Sequence, residues 1–264
     1  MGNKKYVYPS IPGHDCYFVR FMGSGLANCL FVYARAIAYA HRTGARVISP
    51  TWFNISVGPY IRHQKDKRHY LGLFRHCGEV SGIMKIVRLL FGRESVEIKR
   101  GLKNYFRDIL EDSEQICEYL RQHIHPSVLS LVNEYDFTDC VAVHIRLGDY
   151  PADVRVPLEW YKHKIEAVHA RNPHYRFIVF SDGRDDELSE ILSMPGVRRE
   201  FFGNAIADIF AISRCCYLIG SDSTFSGWGA YLGQVPCIFY RKHYGPVLMN
   251  SEMEIVENKS NLWQ

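Results

Sequence analysis

Apolar positions in this chain fall into two runs of alternating short strands and helices, separated by a stretch that keeps neither period. In the first run "CYFVRF" at 16–21 reads as a buried strand. A glycine turn leads from it into "LANCLFVYARAIAYAHR", where Leu30, Tyr33, Ala34, Ile37 and Ala38 recur at helical spacing. Gly44 stops that helix and "ARVIS" follows as a second strand, which predicts a β-α-β unit. The second run begins near Thr138. It predicts strand "DCVAVHI", helix "LEWYKHKIEAVHAR", strand "YRFIVFSD", helix "DDELSEIL" and a short strand in "GVRREFF". Helix "AIADIFAISRC", strand "CYLIGS", helix "TFSGWGAYLG" and strand "VPCIFY" complete it. Alternation of this kind argues for an α/β protein with a parallel sheet covered on both faces and right-handed crossovers.

The stretch between the runs, from about Trp52 to Pro126, contains "SGIMKIVRLLFG" and a helical pattern from Asp112 to His123. Ile83, Ile86, Val87 and Leu90 form an apolar stripe with Lys85 and Arg88 off it. A helix lying on a membrane surface fits such a stripe; burial against the neighbouring domain is the expectation adopted for it.

With 264 residues, 47% of them hydrophobic, the chain can bury one large core or two smaller ones. No apolar run approaches the roughly 18 residues that span a bilayer. The start "MGNKKYVYPS" has no apolar h-region, and Tyr6 stands where a myristoylation motif asks for Ser or Thr, so a soluble cytoplasmic protein is expected. The eight cysteines form no C-x-x-C pair and lie mostly in apolar stretches, as reduced thiols do. His123 and His125 lack a spaced Cys or acidic partner, so core or surface histidines are expected there rather than a metal site. The net charge of +4 is unevenly spread, with 12 Lys/Arg against 5 Asp/Glu between Asn54 and Asp108. "PYIRHQKDKRHYLGLFRH" is read as a solvated loop ahead of a phosphate, membrane or nucleic-acid face.

Ligands of open α/β sheets sit at the carboxyl ends of the strands. His144, Arg146 and Asp149 of "VAVHIRLGDY" occupy such an end, and His144 and Arg146 fall on one strand face. A planar guanidinium suits a diphosphate, while an Arg146–Asp149 ion pair is the plain alternative. In "IGSDSTFSGWGAYLG", Ser221, Ser223, Thr224 and Ser226 crowd the start of a helix, a natural anion site. "MGSGLANCLF" has Gly23 and Gly25 after a strand, with Asn28 in place of a third glycine. No acidic residue ends "ARVIS", which argues against a nicotinamide dehydrogenase. Asp182, Asp185 and Asp186 of "SDGRDDE" read as helix-start acids rather than metal ligands. Asp208 sits inside the apolar pattern "AIADIFAI" and needs a partner, either a backbone N–H or a ligand base. No G-x-S-x-G elbow and no Walker A motif is present.

Taken in order, "GSGLANCLFVYARAIA", "GLKNYF", "VHIRLGDY", "FIVFSD" and "ADIFAISRCCYLIGSDSTFSGWGAYLG" resemble the motifs of the bacterial α-1,2-fucosyltransferases of glycosyltransferase family 11. The resemblance implies a GT-B-like α/β fold, two Rossmann-like domains facing across a cleft, with 1–128 on the acceptor side and 129–264 binding the nucleotide sugar. It implies GDP-fucose as donor, an oligosaccharide or lipid-linked glycan as acceptor, inversion at the fucose carbon and no metal or other cofactor. On this resemblance Arg146 holds the β-phosphate, His144 and Asp208 lie near the nucleoside, Ser223, Thr224 and Phe225 form the phosphate-side turn, and Gly25 and Asn28, in the interdomain turn, also bind the donor. Leu147 stands where the family often carries a second arginine. Asp149 and Asp153 are both candidates for the base that deprotonates the acceptor hydroxyl. A related enzyme using another nucleotide sugar, a non-catalytic sugar-nucleotide or carbohydrate binder, and peripheral contact with the inner membrane face stay open as alternatives.

Overall fold

The computed structural model describes residues 4–61, 67–148, 154–221 and 223–240. The chain divides into two compact units, Met1–Val128 and Leu129–Gln264.

Unit 1 carries, in chain order, β1 (Tyr6–Pro9), β2 (His14–Asp15), β3 (Arg20–Phe21), α1 (Leu26–Thr43), β4 (Arg46–Val47), β5 (Asn54–Ile55), α2 (Gly58–Ile61), α3 (Gly82–Phe91), β6 (Val96–Lys99) and α4 (Ser113–His123). β1 is the middle strand of a parallel sheet, β4-β1-β6, with Tyr6 level with Arg46 on one side and Val96 on the other. α1 connects β1 to β4 and is buried almost continuously from Leu26 to Ala38. Its C-cap Gly44 adopts φ 73°, the left-handed conformation that ends many helices.

The β-α-β unit therefore exists, but its first strand is "YVYP" and not "CYFVRF". Within 16–21 only Arg20–Phe21 is extended, and it belongs to a separate small sheet, β2-β3-β5. Tyr17 and Met22 take left-handed φ values of 71° and 64°, and Cys16 N–H closes a turn onto Val19 carbonyl, so the segment cannot run straight. Phe18 is consequently 67% exposed. α3 also departs from expectation. It turns Lys85 and Leu89 inward and leaves Ile83, Val87 and Leu90 exposed.

Unit 2 carries α5 (Ser130–Glu134), β7 (Cys140–Ile145), α6 (Leu158–Arg171), β8 (Arg176–Ser181), α7 (Ser189–Leu192), β9 (Val197–Arg199), α8 (Ala205–Ile212), β10 (Tyr217–Gly220), α9 (Thr224–Gly233) and β11 (Cys237–Phe239). The five strands form one parallel sheet in the order β11-β10-β7-β8-β9. All six residues of β7 are buried, as expected for the centre of a sheet covered on both faces. The chain adds β8 and β9 on one side of β7, then returns to add β10 and β11 on the other. The gap between the carboxyl ends of β7 and β10 is thus a topological switch point, where doubly wound sheets bind ligands. Among the described residues no helix is long and apolar enough to cross a membrane.

Candidate active site

β7 delivers His144 and Arg146 to this switch point, and β10 delivers Ser221 beside them. Ser221 ties the two strands together. Its N–H donates to the His144 carbonyl (2.9 Å), its hydroxyl donates to the same oxygen (2.9 Å), and that hydroxyl accepts from Arg146 N–H (2.8 Å). The buried Tyr161 hydroxyl lies 2.8 Å from Ser221 Oγ, so α6 braces the junction from behind. Burial raises the Tyr161 pKa, against the effect of the hydrogen bond with Ser221, and keeps the phenol protonated.

Arg146 differs from its neighbours in being one-third exposed, and its Nη1 lies 2.8 Å from Asp182 Oδ2. The other carboxylate oxygen of Asp182 accepts from the backbone N–H of Leu147 (2.9 Å) and Gly148 (3.0 Å). One side chain therefore fixes both the loop after β7 and the guanidinium that projects from it. A Cβ on Gly148 would sit 2.2 Å from Asp182 Oδ2, so only glycine admits this approach. Register explains the placement. β8 pairs with β7 so that Ser181 is level with Ile145, which sets the next residues, Asp182 and Arg146, side by side.

Asp182 is the residue of this edge whose contacts sequence reasoning missed, having read it as a helix-start acid. Its neighbours are spent elsewhere: Asp185 pairs with Arg199, and Asp186 with Arg184 at 2.9 Å. Leu147 points the other way, into the core cluster with Val143, Val156 and Tyr161. A Cβ on Gly183 would come within 2.6 Å of Leu147 Cδ1, so the pocket is shaped around a leucine. An arginine with its side chain there would bury a guanidinium in apolar surroundings.

α9 opens beside β7. Ser223 is its N-cap, accepting from Ser226 N–H at 3.3 Å. Ser226 Oγ lies 2.6 Å from His144 Nδ1, and the Phe225 ring stacks on the imidazole with centroids 4.9 Å apart. Burial drives the His144 pKa well down, the Arg146 charge pushes the same way, and Asp182 opposes them. His144 is therefore a neutral imidazole at pH 7 that holds the first turn of α9 against β7. Thr224 and Phe225 stay partly exposed at that turn, where helix N–H groups and the positive dipole end favour an anion. Of the four crowded hydroxyls, Ser221, Ser223 and Ser226 thus serve the scaffold.

Asp208 lies in the first turn of α8, whose N-cap Asn204 accepts from Ala207 N–H (3.0 Å). Its Oδ1 accepts from Phe202 N–H (2.8 Å), the backbone partner that its apolar setting called for. α8 runs from the carboxyl end of β9 back to β10, so Asp208 lies at the same edge of the sheet as Arg146 and Thr224.

Gly25 and Asn28 belong to unit 1. Gly25 is the N-cap of α1 with ordinary extended angles, and its carbonyl accepts from Asn28 N–H (3.1 Å). The glycine requirement of that turn lies at Gly23 instead, with φ 104° and no room for a Cβ 2.1 Å from Pro12 carbonyl. Asn28 Oδ1 is buried with no hydrogen-bond partner, an acceptor left over beside the helix start. Asp149 and Asp153 lie outside the described residues. The histidines read as structural have partners of their own: His123 contacts the carbonyls of Tyr119 and Cys77, and His125 contacts Ser127.

Known proteins resemble both the fold and the sequence. The chain is 15% identical to NodZ, an α-1,6-fucosyltransferase from Bradyrhizobium co-crystallised with GDP, with TM-score 0.51 over 91% of this chain and 96% of that one. It is 13% identical to a mutant of Arabidopsis thaliana FUT1 in complex with GDP, with TM-score 0.52 over 93% of this chain and 73% of that one. These likenesses establish a GT-B-like fold. A curated relative, the O-antigen biosynthesis glycosyltransferase WbnK of Escherichia coli, is 27% identical over 158 residues. That match spans about half of each chain, 52% of this one and 52% of WbnK. The sequence profile of glycosyl transferase family 11 matches residues 98–240, more than half of the chain and all five strands of the sheet that carries the site, and the chain therefore belongs to that family.

Proposed function

We propose that this protein is an inverting fucosyltransferase that moves fucose from GDP-fucose to a glycan hydroxyl, O2 of a galactose, on an oligosaccharide or lipid-linked acceptor in the cytoplasm. The observation that carries the reading is the pairing, at one switch point, of a partly exposed, carboxylate-anchored Arg146 with the start of α9. That pairing suits a diphosphate. Family membership supports the reaction type, and the O-antigen relative supports a surface-glycan acceptor.

In this reading the diphosphate lies between Arg146 and the Ser223–Thr224–Phe225 turn. As the bond from fucose to phosphate breaks, the sugar becomes oxocarbenium-like and GDP gains negative charge. Arg146 and the α9 N–H groups are already aimed at that charge, so little reorganisation is needed in the transition state. Neutral His144 adds no charge and holds the turn in place. Asp208 lies toward the nucleoside with α8, while unit 1 takes the acceptor side. Asp149 or Asp153 removes the proton of the attacking hydroxyl.

Incubation with GDP-fucose and β-galactosides in the presence of EDTA tests the proposal. Transfer to O2 with release of GDP, judged by mass and linkage analysis, is the expected result. Turnover of a UDP- or dTDP-sugar with none of GDP-fucose would overturn it, as would an absolute need for a divalent cation.

A further inference from the structure

We propose that α3 and the basic residues around it form a surface that docks on an anionic lipid bilayer. α3 is amphipathic and mounted in reverse. Lys85 and Leu89 are buried, whereas Ile83, Met84, Val87, Leu90 and Phe91 are 79%, 52%, 39%, 55% and 84% exposed. At about 100° per residue these five side chains fall within an arc of about 120°, one continuous stripe. The rotation of the helix is fixed from inside. Lys85 Nζ donates to Thr51 Oγ1 (2.9 Å) and lies 5.2 Å over the Tyr8 ring.

Charge along the helix itself has one sign. From Gly82 to Arg93 the chain holds Lys85, Arg88 and Arg93 and no acidic residue. Lys4 donates to the Glu94 carbonyl and Arg88 lies over the Tyr6 ring at 4.9 Å, so the N-terminal strand brings Lys4 to the same end of the helix. The acids that follow are Glu94 and Glu97, and Glu97 pairs with Lys99 at 3.0 Å.

That pattern decides between occupants. A two-fold dimer would set this basic rim against its own copy, a like-charge contact that costs affinity. A nucleic acid has no use for five large apolar side chains in a row. A bilayer with anionic headgroups satisfies both parts, the stripe entering the acyl boundary while Lys4, Arg88 and Arg93 meet the headgroups. The inference does not depend on the identity of the donor.

The test is co-sedimentation of the full chain with vesicles of phosphatidylcholine alone and of phosphatidylcholine with one third phosphatidylglycerol. Binding to the anionic vesicles is expected to exceed binding to neutral ones about tenfold or more and to fall with added salt. The exposed-face variant Ile83→Ser/Leu90→Ser/Phe91→Ser is expected to bind at least about tenfold less while keeping its melting temperature and GDP affinity. Failure of the wild type to bind, equal binding by the variant, or a concentration-dependent dimer that the variant abolishes would each overturn the proposal. Loss of GDP binding with vesicle binding intact would remove only the donor reading.

Discussion

At the carboxyl edge of β7 and β10, polar side chains bind backbone: Ser221 holds the His144 carbonyl and Arg146 N–H, and Asp182 holds the N–H groups of Leu147 and Gly148. Beyond β1 and β4 in unit 1, a cluster of polar side chains instead encloses its cation. The Tyr8 hydroxyl meets the Asp15 carboxylate and lies 2.9 Å from Thr51 Oγ1, which accepts from buried Lys85. The outcomes for charge are opposite. Arg146 has a rigid base and keeps a third of its surface in water. Burial lowers the Lys85 pKa to about 8, despite Asp15 and Glu79 nearby, so this ammonium sits on the verge of neutrality. A cation meant for a ligand needs satisfied groups beneath it and solvent above it; a cation enclosed in a core loses its proton readily.

Substitution of Arg146 has the largest expected effect. Arg146→Ala should lower the rate of transfer from GDP-fucose by about 10²-fold or more, measured with saturating acceptor, with thermal stability almost unchanged. Asp182 comes next. Asp182→Asn keeps an oxygen for the two N–H groups and removes the ion pair, so kcat/KM for the donor should fall about tenfold while stability holds. Asp182→Ala strands the N–H of buried Leu147, that of exposed Gly148 being open to water, and should cost about 1–3 kcal/mol in a urea titration as well. Equal stability of the two variants would show that the carboxylate does not fix the loop.

Two pH effects follow, of opposite location and the same sign. The unfolded His144 imidazole takes a proton near pH 6.5, while the folded one, held well below that by burial, does not. Its contribution to stability is fully present above about pH 6.5 and is lost below it, by at most about 1.4 kcal/mol per pH unit. His144→Gln should flatten that acid limb in urea unfolding between pH 7.5 and 5.5. Lys85 acts on the alkaline side. Below about pH 8 both states hold its proton; as pH rises from there toward the unfolded value near 10.4 only the unfolded chain does, so stability should increase. Lys85→Met should remove that rise and be neutral or stabilising at pH 7. An alkaline limb that survives the substitution would contradict the account of unit 1.

Unit 2 was largely legible in the sequence because buried parallel strands read as unbroken apolar runs and its helices are long enough to show their period. α6 coincides with "LEWYKHKIEAVHAR", and α9 with "TFSGWGAYLG". Unit 1 was less legible. "YVYP" is four residues ending in proline behind a charged start, whereas "CYFVRF" is more apolar yet kinked by left-handed residues that no hydrophobic pattern reveals. The Arg146 candidate came from local sequence. Asp182 did not, because its role depends on the β7–β8 register and on the missing Cβ of Gly148, both properties of the folded sheet. The inverted mounting of α3 was hidden for the same reason: burial of Lys85 is decided by Thr51 and Tyr8, far away in the chain.

A crystal structure of the protein with GDP tests the central claim most directly. The diphosphate is expected at the β7–β10 switch point, with phosphate oxygens within hydrogen-bonding distance of the Arg146 guanidinium and the first turn of α9. GDP bound elsewhere, or at this edge with its phosphates turned away from Arg146, would contradict it.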